Sequence, residues 1–581
     1  MHRRFHHYTV KTLPKSYTSK LGTQYSQTAV IHFFDSENHD IGTIDYGLAE
    51  LEDVYNAIEN DQEVILDEAY VRNFSITAWR RLQLKDKKEL VALKRIVANR
   101  SFFEVSRIID FSYIQIEEGE INFRDTIFLG GDLDLHHSRF TNTNVSFEYI
   151  ALHKGGINFS ELKMKGGSFS MKNAILSNHE KYFQYARFED CPVDFTNCEF
   201  KGGNINMVDT YFSGGVSFKV AQIGDGRIGF QFAKFSGKDV SFDRVNFGKG
   251  DIDFRTTEFN GVKVNFNRSI ADDGFWDFTG CEVRNGKMTF KKVGFGFGRV
   301  DFSETIFEKS DLNLSRAETM DALLIFEKAN IYNLDLSYCF FNRYLNFRMS
   351  KACSIDMSNA VVRDILDMHL PEGGFPVPII NFTDMSLPGL LYIDWRKNEV
   401  EKAVYNQKDK TTYYQKATQF LMLKENFNRN GQYDYEDLAY VEYRRSRARS
   451  RRNRNEGGVW AKIKDHSAFI LDKLLLDYTG LYGTSPARVF GTMILFYVLF
   501  SLMYILIIVT GSGDIVVSVG AEYDLSLWSK GFYHSAITML TIGYGDHFPV
   551  GPARGLSAIQ GFVGMLLLSY FTVSLVHKIL R

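Results

Sequence analysis

Apolar residues recur every twelve positions through the middle of this chain. The triplets Ile109-Asp110-Phe111, Ile121-Asn122-Phe123, Leu133-Asp134-Leu135, Val145-Ser146-Phe147 and Ile157-Asn158-Phe159 set the period. Irregular steps at Phe169 and Phe183 interrupt it. It resumes at Phe195, Met207, Phe218, Phe230, Phe242, Phe254, Phe266, Phe278, Phe290, Phe302, Leu314 and Phe326. Steps of ten and eleven follow at Leu336, Phe347 and Met357, with weaker members at Met368, Phe382 and Ile393. A second apolar residue sits five positions after most of these, as at Phe128, Phe140, Phe188 and Phe212. Two residues before that second position the side chain is small, as at Thr126, Ala186, Cys198, Cys281 and Cys339. A small and a large inward residue two apart describe one flat face of a narrow coil. Two such faces and two turn residues make twelve, half a coil. Pairs such as Gly130-Gly131, Gly155-Gly156, Gly202-Gly203 and Gly214-Gly215 fall at the extra turn, where a positive φ is easy for glycine. The pattern predicts a β-solenoid over residues 106–395. At 24 residues per coil it has on the order of twelve coils and is roughly 55 Å long. Each coil then buries its phenylalanines only against its neighbours.

These repeats resemble the pentapeptide-repeat family, and the resemblance implies a right-handed quadrilateral β-helix. Some members of that family mimic DNA and bind topoisomerases, which requires a strongly acidic rod. Here Arg124, Lys163, Lys165, Lys172, Lys219, Arg227, Arg255, Lys291 and Lys292 intersperse the acids, so the favoured role is a spacer or assembly scaffold.

Ahead of the repeats, residues 1–105 read as a mixed α/β cap. Alternation predicts a strand over Ala29–Phe34, and apolar spacing predicts helices over Leu51–Asn60 and Lys88–Ala98. His2, His6 and His7 could hold a metal, but a solvated tail is the favoured reading. No apolar segment follows the basic start, so a cleavable signal peptide is not expected. After the repeats, residues 396–457 read as a helical hairpin linker. One helix spans Thr411–Asn430 with Gly431 as its stop, and a second spans Asp434–Arg449. An arginine cluster follows: Arg444, Arg445, Arg447, Arg449, Arg451, Arg452 and Arg454. It is a candidate contact for anionic lipid head groups and also a topology determinant. Residues 458–485 mix Trp460, Phe469 and Leu474 with Lys462, Lys464 and Lys473, which predicts an amphipathic helix in a membrane interface.

Residues 486–581 carry two uncharged runs, 489–510 and 555–576. Each is 22 residues, about 33 Å as a helix, against a hydrocarbon core of about 30 Å. Gln560 is the main polar exception in the second. Basic residues gather before the first run and at Lys578 and Arg581, while the connecting loop holds Asp514, Glu522 and Asp524 against Lys530. Positive-inside logic places both termini in the cytoplasm of a cell whose inner membrane the chain crosses twice. Between the runs, residues 529–540 are too short and polar to cross and read as a half-helix, ending at Thr541-Ile542-Gly543-Tyr544-Gly545-Asp546. Irregular backbone at membrane depth is tolerated only inside protein or beside water.

That hexapeptide is similar to the potassium-channel signature, and the two flanking spans resemble the two-span potassium channels of bacteria. The resemblance implies a homotetramer. K⁺, the permeant ion, is then bound by the backbone carbonyls of Thr541, Ile542, Gly543 and Tyr544. Phe562-Val563-Gly564-Met565 is similar to the gating hinge of such channels, with Gly564 about one residue early and helix packing as its plain alternative. Ile537 stands where some relatives carry a glutamate that pairs with the filter aspartate, so Asp546 is expected to lack that partner. The first span has no arginine ladder, so intrinsic voltage sensing is not expected.

Composition changes this picture little. The chain has 581 residues and a net charge of −2, which does not mark nucleic acid as a partner. Its five cysteines (Cys191, Cys198, Cys281, Cys339 and Cys353) form no CxxC pair, which suits a reducing compartment. No P-loop, nucleophile elbow, dinucleotide-binding glycines or HExxH motif is found, so neither an enzyme nor an organic cofactor is expected. The expected protein is therefore a K⁺ channel modulated by a cytoplasmic solenoid, which could carry a cytoplasmic ligand or protein partner. The alternative is a membrane-anchored docking scaffold whose pore is silent or poorly selective.

Overall fold

The computed structural model describes residues 4–407, 411–453, 459–518 and 525–580. His2, Arg454, Glu522, Asp524 and Arg581 lie outside the described residues. The chain divides into two compact units, Met1–Gln407 and Lys408–Arg581.

The first unit is a four-sided parallel β-solenoid. One coil contributes the strands Phe102–Glu104, Ile108–Asp110, Ile114–Glu117 and Glu120–Asn122, and the next begins at Ile127–Leu129. Equivalent residues stack in parallel register: Phe103 beside Phe128, Ile109 beside Leu133, Ile116 beside Phe140, Ile121 beside Val145. Every ladder residue named above is buried, from Phe111 at 1% exposure to Ile393 at 0%. Ring stacking follows the coil repeat. Phe218, Phe242, Phe266 and Phe290 lie 5.1, 4.7 and 4.6 Å apart in succession, nearly parallel. The small slots Thr126, Ala186, Cys198, Cys281 and Cys339 are also buried. Burial pushes the Cys339 and Cys191 thiols up to about 12, so they pack as small apolar groups.

The polar middle residue of each triplet has its own task. Asp110, Asn122, Asp134 and Asp194 each accept a hydrogen bond from the backbone N–H two residues on, at 2.8 to 3.1 Å. This Asx turn bends the chain into the next face. The corner then closes by a bond from Thr126 N–H to Phe123 O at 3.1 Å, with Asp125 at φ +57°. Glycine is not required there, because Val220 and Phe232 adopt φ +61° and +60° at the same corner position. The stacked ladder holds them in a conformation that costs about 1–2 kcal/mol. Gly130 is different: a Cβ there would lie 2.0 Å from Val105 O.

Three sequence expectations change. The period does not break at Phe169, because Phe169 pairs with Val145 and the ladder residue is Met171, exactly twelve from both Phe159 and Phe183. Both side chains point inward, and the aromatic masked the methionine. The segment 88–98 is not helical but forms the ladder strands Val91–Ala92 and Arg95–Val97. Its apolar residues satisfy helical spacing, yet parallel pairing with Ile114–Glu117 and Glu120–Asn122 buries them better. The solenoid consequently starts earlier, at Val64–Ile65 beside Arg95–Val97, and has about fourteen coils. The later steps of ten arise because the coil that pairs with Phe307 and Asp311 has two residues fewer at that corner, with only one residue between Ile331 and Asn333. An antiparallel meander (His7–Leu13, Thr28–Phe34, Asp40–Leu48) leads into the first coil. The short helix α1 (Leu51–Glu59) packs beside Val64–Ile65, α2 (Ile76–Leu82) is tied to the corner at Ser112 and Tyr113 by Arg80, and α3 (Val400–Tyr405) ends the unit.

The second unit is helical. A capping box, Thr412 with Gln415, starts α4 (Tyr413–Arg429). Gly431, at φ +68°, turns the chain into α5 (Tyr433–Arg452). Next come α6 (Val459–Asp472) and a π-helical turn, Lys473–Tyr478. The apolar helices α7 (Pro486–Val509) and α9 (Ala553–Ile579) flank α8 (Leu527–Met539). Ser485 caps α7 ahead of its N1 proline, and Ser526 caps α8. Helices α7 and α9 are long and apolar enough to cross a membrane.

Candidate pore

The hexapeptide 541–546 leaves the C-terminal end of α8, and α8 is held by both long helices. Gly531 allows the closest approach to α7, where a Cβ would meet Ile505 at 2.6 Å and Ser501 O at 3.0 Å. A polar knot ties all three helices. Tyr504 donates to Gln560 Oε1 at 2.9 Å, and Gln560 Nε2 donates to Ser535 O at 3.0 Å and to its hydroxyl at 2.6 Å. Ser535 in turn donates to Tyr497 O at 3.0 Å. Tyr504, Ser535 and Gln560 are all fully buried, so in hydrocarbon these bonds have no water to compete with them. Gln560, the polar exception of the second apolar run, is thereby explained.

The backbone of the hexapeptide alternates in hand. Thr541, Gly543 and Gly545 have φ of +54°, +58° and +75°. In an extended strand successive carbonyls point to opposite sides, whereas alternating hands lets them share one side. Two N–H groups are turned toward the helix: Ile542 and Gly543 both donate to Ile537 O, at 2.9 and 3.4 Å. Among the described residues no group donates to the carbonyls of Thr541, Ile542, Gly543 or Tyr544. A run of donor-free carbonyls beside a helix C-terminus favours cations.

Asp546 has partners that the sequence did not suggest. The Tyr533 hydroxyl donates to Asp546 Oδ2 at 2.7 Å, and His547 Nδ1 lies 3.1 Å from the same oxygen. Tyr533, on α8 one turn before Ile537, thus gives Asp546 a partner on the half-helix that Ile537 cannot give. The Asp546 carbonyl is anchored by Ser518 N–H at 2.7 Å. This extends a two-stranded antiparallel sheet in which Asp514–Val517 pairs with His547–Val550. Gly564 lies within an unbroken α9, where a Cβ would come 2.3 Å from Met539 O. The geometry therefore supplies the packing role named as its alternative.

A family model described as an ion channel matches residues 492–581. The C-terminal segment belongs to that ion-channel family. No curated protein and no solved structure matches the chain. The matched channel segment takes in the α7 span from Thr492, the half-helix, residues 541–546 and the α9 span.

On the N-terminal side of the channel segment, the arginine cluster is knitted into the unit. Arg445 makes a forked contact with Asp477 at 2.8 and 3.0 Å and reaches Glu442 at 2.7 Å. The Asp477 bond holds its guanidinium above the usual arginine range. Arg444 and Arg451 face Asp472 at 3.7 and 3.8 Å. Arg447 donates to the Tyr443 hydroxyl at 2.9 Å. Arg449 lies over the Tyr413 ring and Arg452 over the Phe469 ring, at 5.9 and 4.8 Å. The predicted single interfacial helix is instead α6 plus the π turn that carries Asp477, with Trp460, Leu471, Leu474 and Leu475 exposed. The start of α5 meets the end of α9, where Lys578 reaches Asp437 at 2.7 Å and Asp434 at 3.4 Å. Ser574 donates to Gly483 O at 2.8 Å and Tyr570 to Leu476 O at 3.1 Å. One helix, α5, is thus ionically bound to the segment before the first span and to the end of the second.

Proposed function

We propose that this protein is a tetrameric K⁺-selective channel whose opening is set by its large N-terminal solenoid. The observation that carries the reading is the alternating backbone at Thr541, Gly543 and Gly545, with N–H groups turned to Ile537 O and four carbonyls left without donors. Four copies around an axis supply four rings of such oxygens, in place of the hydration shell of K⁺. Thr541, Ile542, Gly543 and Tyr544 are the proposed K⁺ ligands, and Asp546 with Tyr533 braces the filter. Both termini lie on the cytoplasmic side in this reading, because the basic residues flank the far ends of the two spans. Force from the solenoid reaches the spans through α5, which grips Asp477 by Arg445 and Lys578 by Asp437. Gly564, where α9 packs closest to the end of α8, doubles as the proposed pivot. Within the arginine cluster, Arg447 and Arg452 pair with no carboxylate among the described residues and are proposed as the leading anionic-lipid contacts.

Reversal potentials of the purified protein in planar bilayers test the selectivity. A shift toward the K⁺ equilibrium potential in a K⁺/Na⁺ gradient is expected, and equal permeability would overturn the reading in favour of a scaffold with a poorly selective pore. Deleting residues 1–395 is expected to change open probability, and an unchanged open probability would remove the solenoid from gating.

A further inference from the structure

A groove at the N-terminal end of the solenoid has the make-up of a ligand site. The strand His7–Leu13 and the residues before it fold back across the first coils. Phe5 packs on His153 at 4.2 Å between ring centroids and on Phe33 at 4.9 Å, and Arg4 pairs with Glu199 at 2.5 Å. Beneath this crossing segment lies a cavity of about 950 Å³, large enough for a small organic ligand. Stacked coils make its floor. Arg72, Glu104 and Leu129 are register partners, and His153 follows Leu152, the partner of Phe128.

Charge decides what such a groove would accept. Glu104 is the only acid in the lining among the described residues. Both its oxygens are already taken, one by the Tyr8 hydroxyl at 2.7 Å and the other by the Tyr70 hydroxyl. Burial, reinforced by Glu104, holds both phenols well above their usual range, so they stay protonated donors. Arg72 and Lys154 line the same cavity, are exposed, and face no carboxylate within ion-pair distance among the described residues. Arg72 rests over the Tyr70 ring at 5.7 Å. Two cations without acid partners, beside aromatic rings and an acid whose oxygens are held by two phenols, complement an anion that carries a flat ring. The cavity is lined by too few aliphatic residues for an acyl chain, and no metal-holding cluster exists among the described residues.

We propose that this groove binds a nucleoside monophosphate, with the phosphate on Arg72 and Lys154 and the base along the aromatic wall of Phe5 and Tyr8. Binding stands apart from the channel reading, and only an effect of binding on opening would rest on it. Isothermal titration of the full chain in nanodiscs with the four ribonucleoside 5′-monophosphates, adenosine and inorganic phosphate tests it. At least one nucleotide is expected to bind once per chain, and at least tenfold more tightly than phosphate or adenosine. R72A/K154A, at two exposed positions, is expected to weaken that binding at least tenfold with an unchanged melting temperature. E104Q, which removes the only negative charge, is expected to tighten it severalfold, which a merely structural role of Glu104 would not do. No nucleotide binding at millimolar concentration, phosphate binding as tightly as the nucleotide, or binding that survives R72A/K154A would each overturn the proposal. Because none of these readouts involves ion flux, failure here leaves the channel reading intact, and a non-conducting protein leaves this one intact.

Discussion

The solenoid and the channel segment are stabilised in opposite ways. In the solenoid every inward position has a copy one coil away: Phe242, Phe266 and Phe290 stack face to face and share one environment. In the channel segment each tie is singular. Among the described residues, Tyr504 to Gln560 and Gln560 to Ser535 have no second copy, and neither does the seat of Gly564 on Met539 O. The repeat distributes its stability among like contacts, while the channel segment concentrates position and function in a few atoms. A defect in the first should therefore act as lost packing energy, and a defect in the second as lost geometry.

The largest expected effect probes the repeat. Phe266→Ala removes a fully buried ring from a continuous stack and should cost about 3–5 kcal/mol, read as a lower denaturant midpoint. A cost below 1 kcal/mol would mean that the stack is not the source of stability. Next is Gly564→Ala, whose methyl would press on backbone, with Met539 O only 2.3 Å away. It should cost about 2 kcal/mol and, unlike the solenoid variant, change conductance. If conductance stays the same, the seat of α9 on α8 does not position residues 541–546. Gln560→Leu removes the acceptor of the Tyr504 hydroxyl and the amide donor to Ser535, at about 1–2 kcal/mol. Adding Tyr504→Phe should recover part of the loss, since both partners of that bond are then apolar.

A pH test separates the regions again. Asp110 is buried, which alone would raise its pKa, but hydrogen bonds from Ser112, Thr77 and Ser75 prevail and hold it below the usual carboxylate range. A depressed folded pKa means that its stabilisation is complete above the unfolded value, near 4, and is lost as pH falls through the folded value. The difference in melting temperature between the wild type and Asp110→Asn should be constant from pH 6 to 8 and should shrink below about pH 4. A difference that grew with acid would reverse the sign and refute the assignment. The smallest effect concerns the ionic tie, with Lys578→Asp and Asp437→Lys each costing about 1 kcal/mol. In the double exchange the ion pair is restored, so open probability should return toward the wild type if α5 couples to α9 through this pair.

The same contrast governs what could be read from the chain. The period of twelve revealed the coil, its large and small inward slots and the cysteines within them, because a stacked parallel ladder repeats its environment and so its residue types. It failed where that logic weakens, at Met171 behind Phe169 and at the first coils, whose residues also fit helical spacing. The hexapeptide, its half-helix and the two apolar runs were legible because hydrocarbon length and backbone hand constrain composition. Tyr533 on Asp546, the Tyr504-Gln560-Ser535 knot and the pairing of the arginines with Asp472 and Asp477 were not. Each joins single residues 13 to 56 positions apart, and no periodicity announces such a pair. By itself, then, the sequence determined the solenoid, the two spans and the strand of carbonyls between them, since each follows from periodicity or from the demand that buried backbone be satisfied. Only the tertiary structure decided which polar groups meet, and with it the partners of Asp546, the ion pairs of α5 and the groove beneath Phe5. Those depend on where distant parts of the chain come together in space.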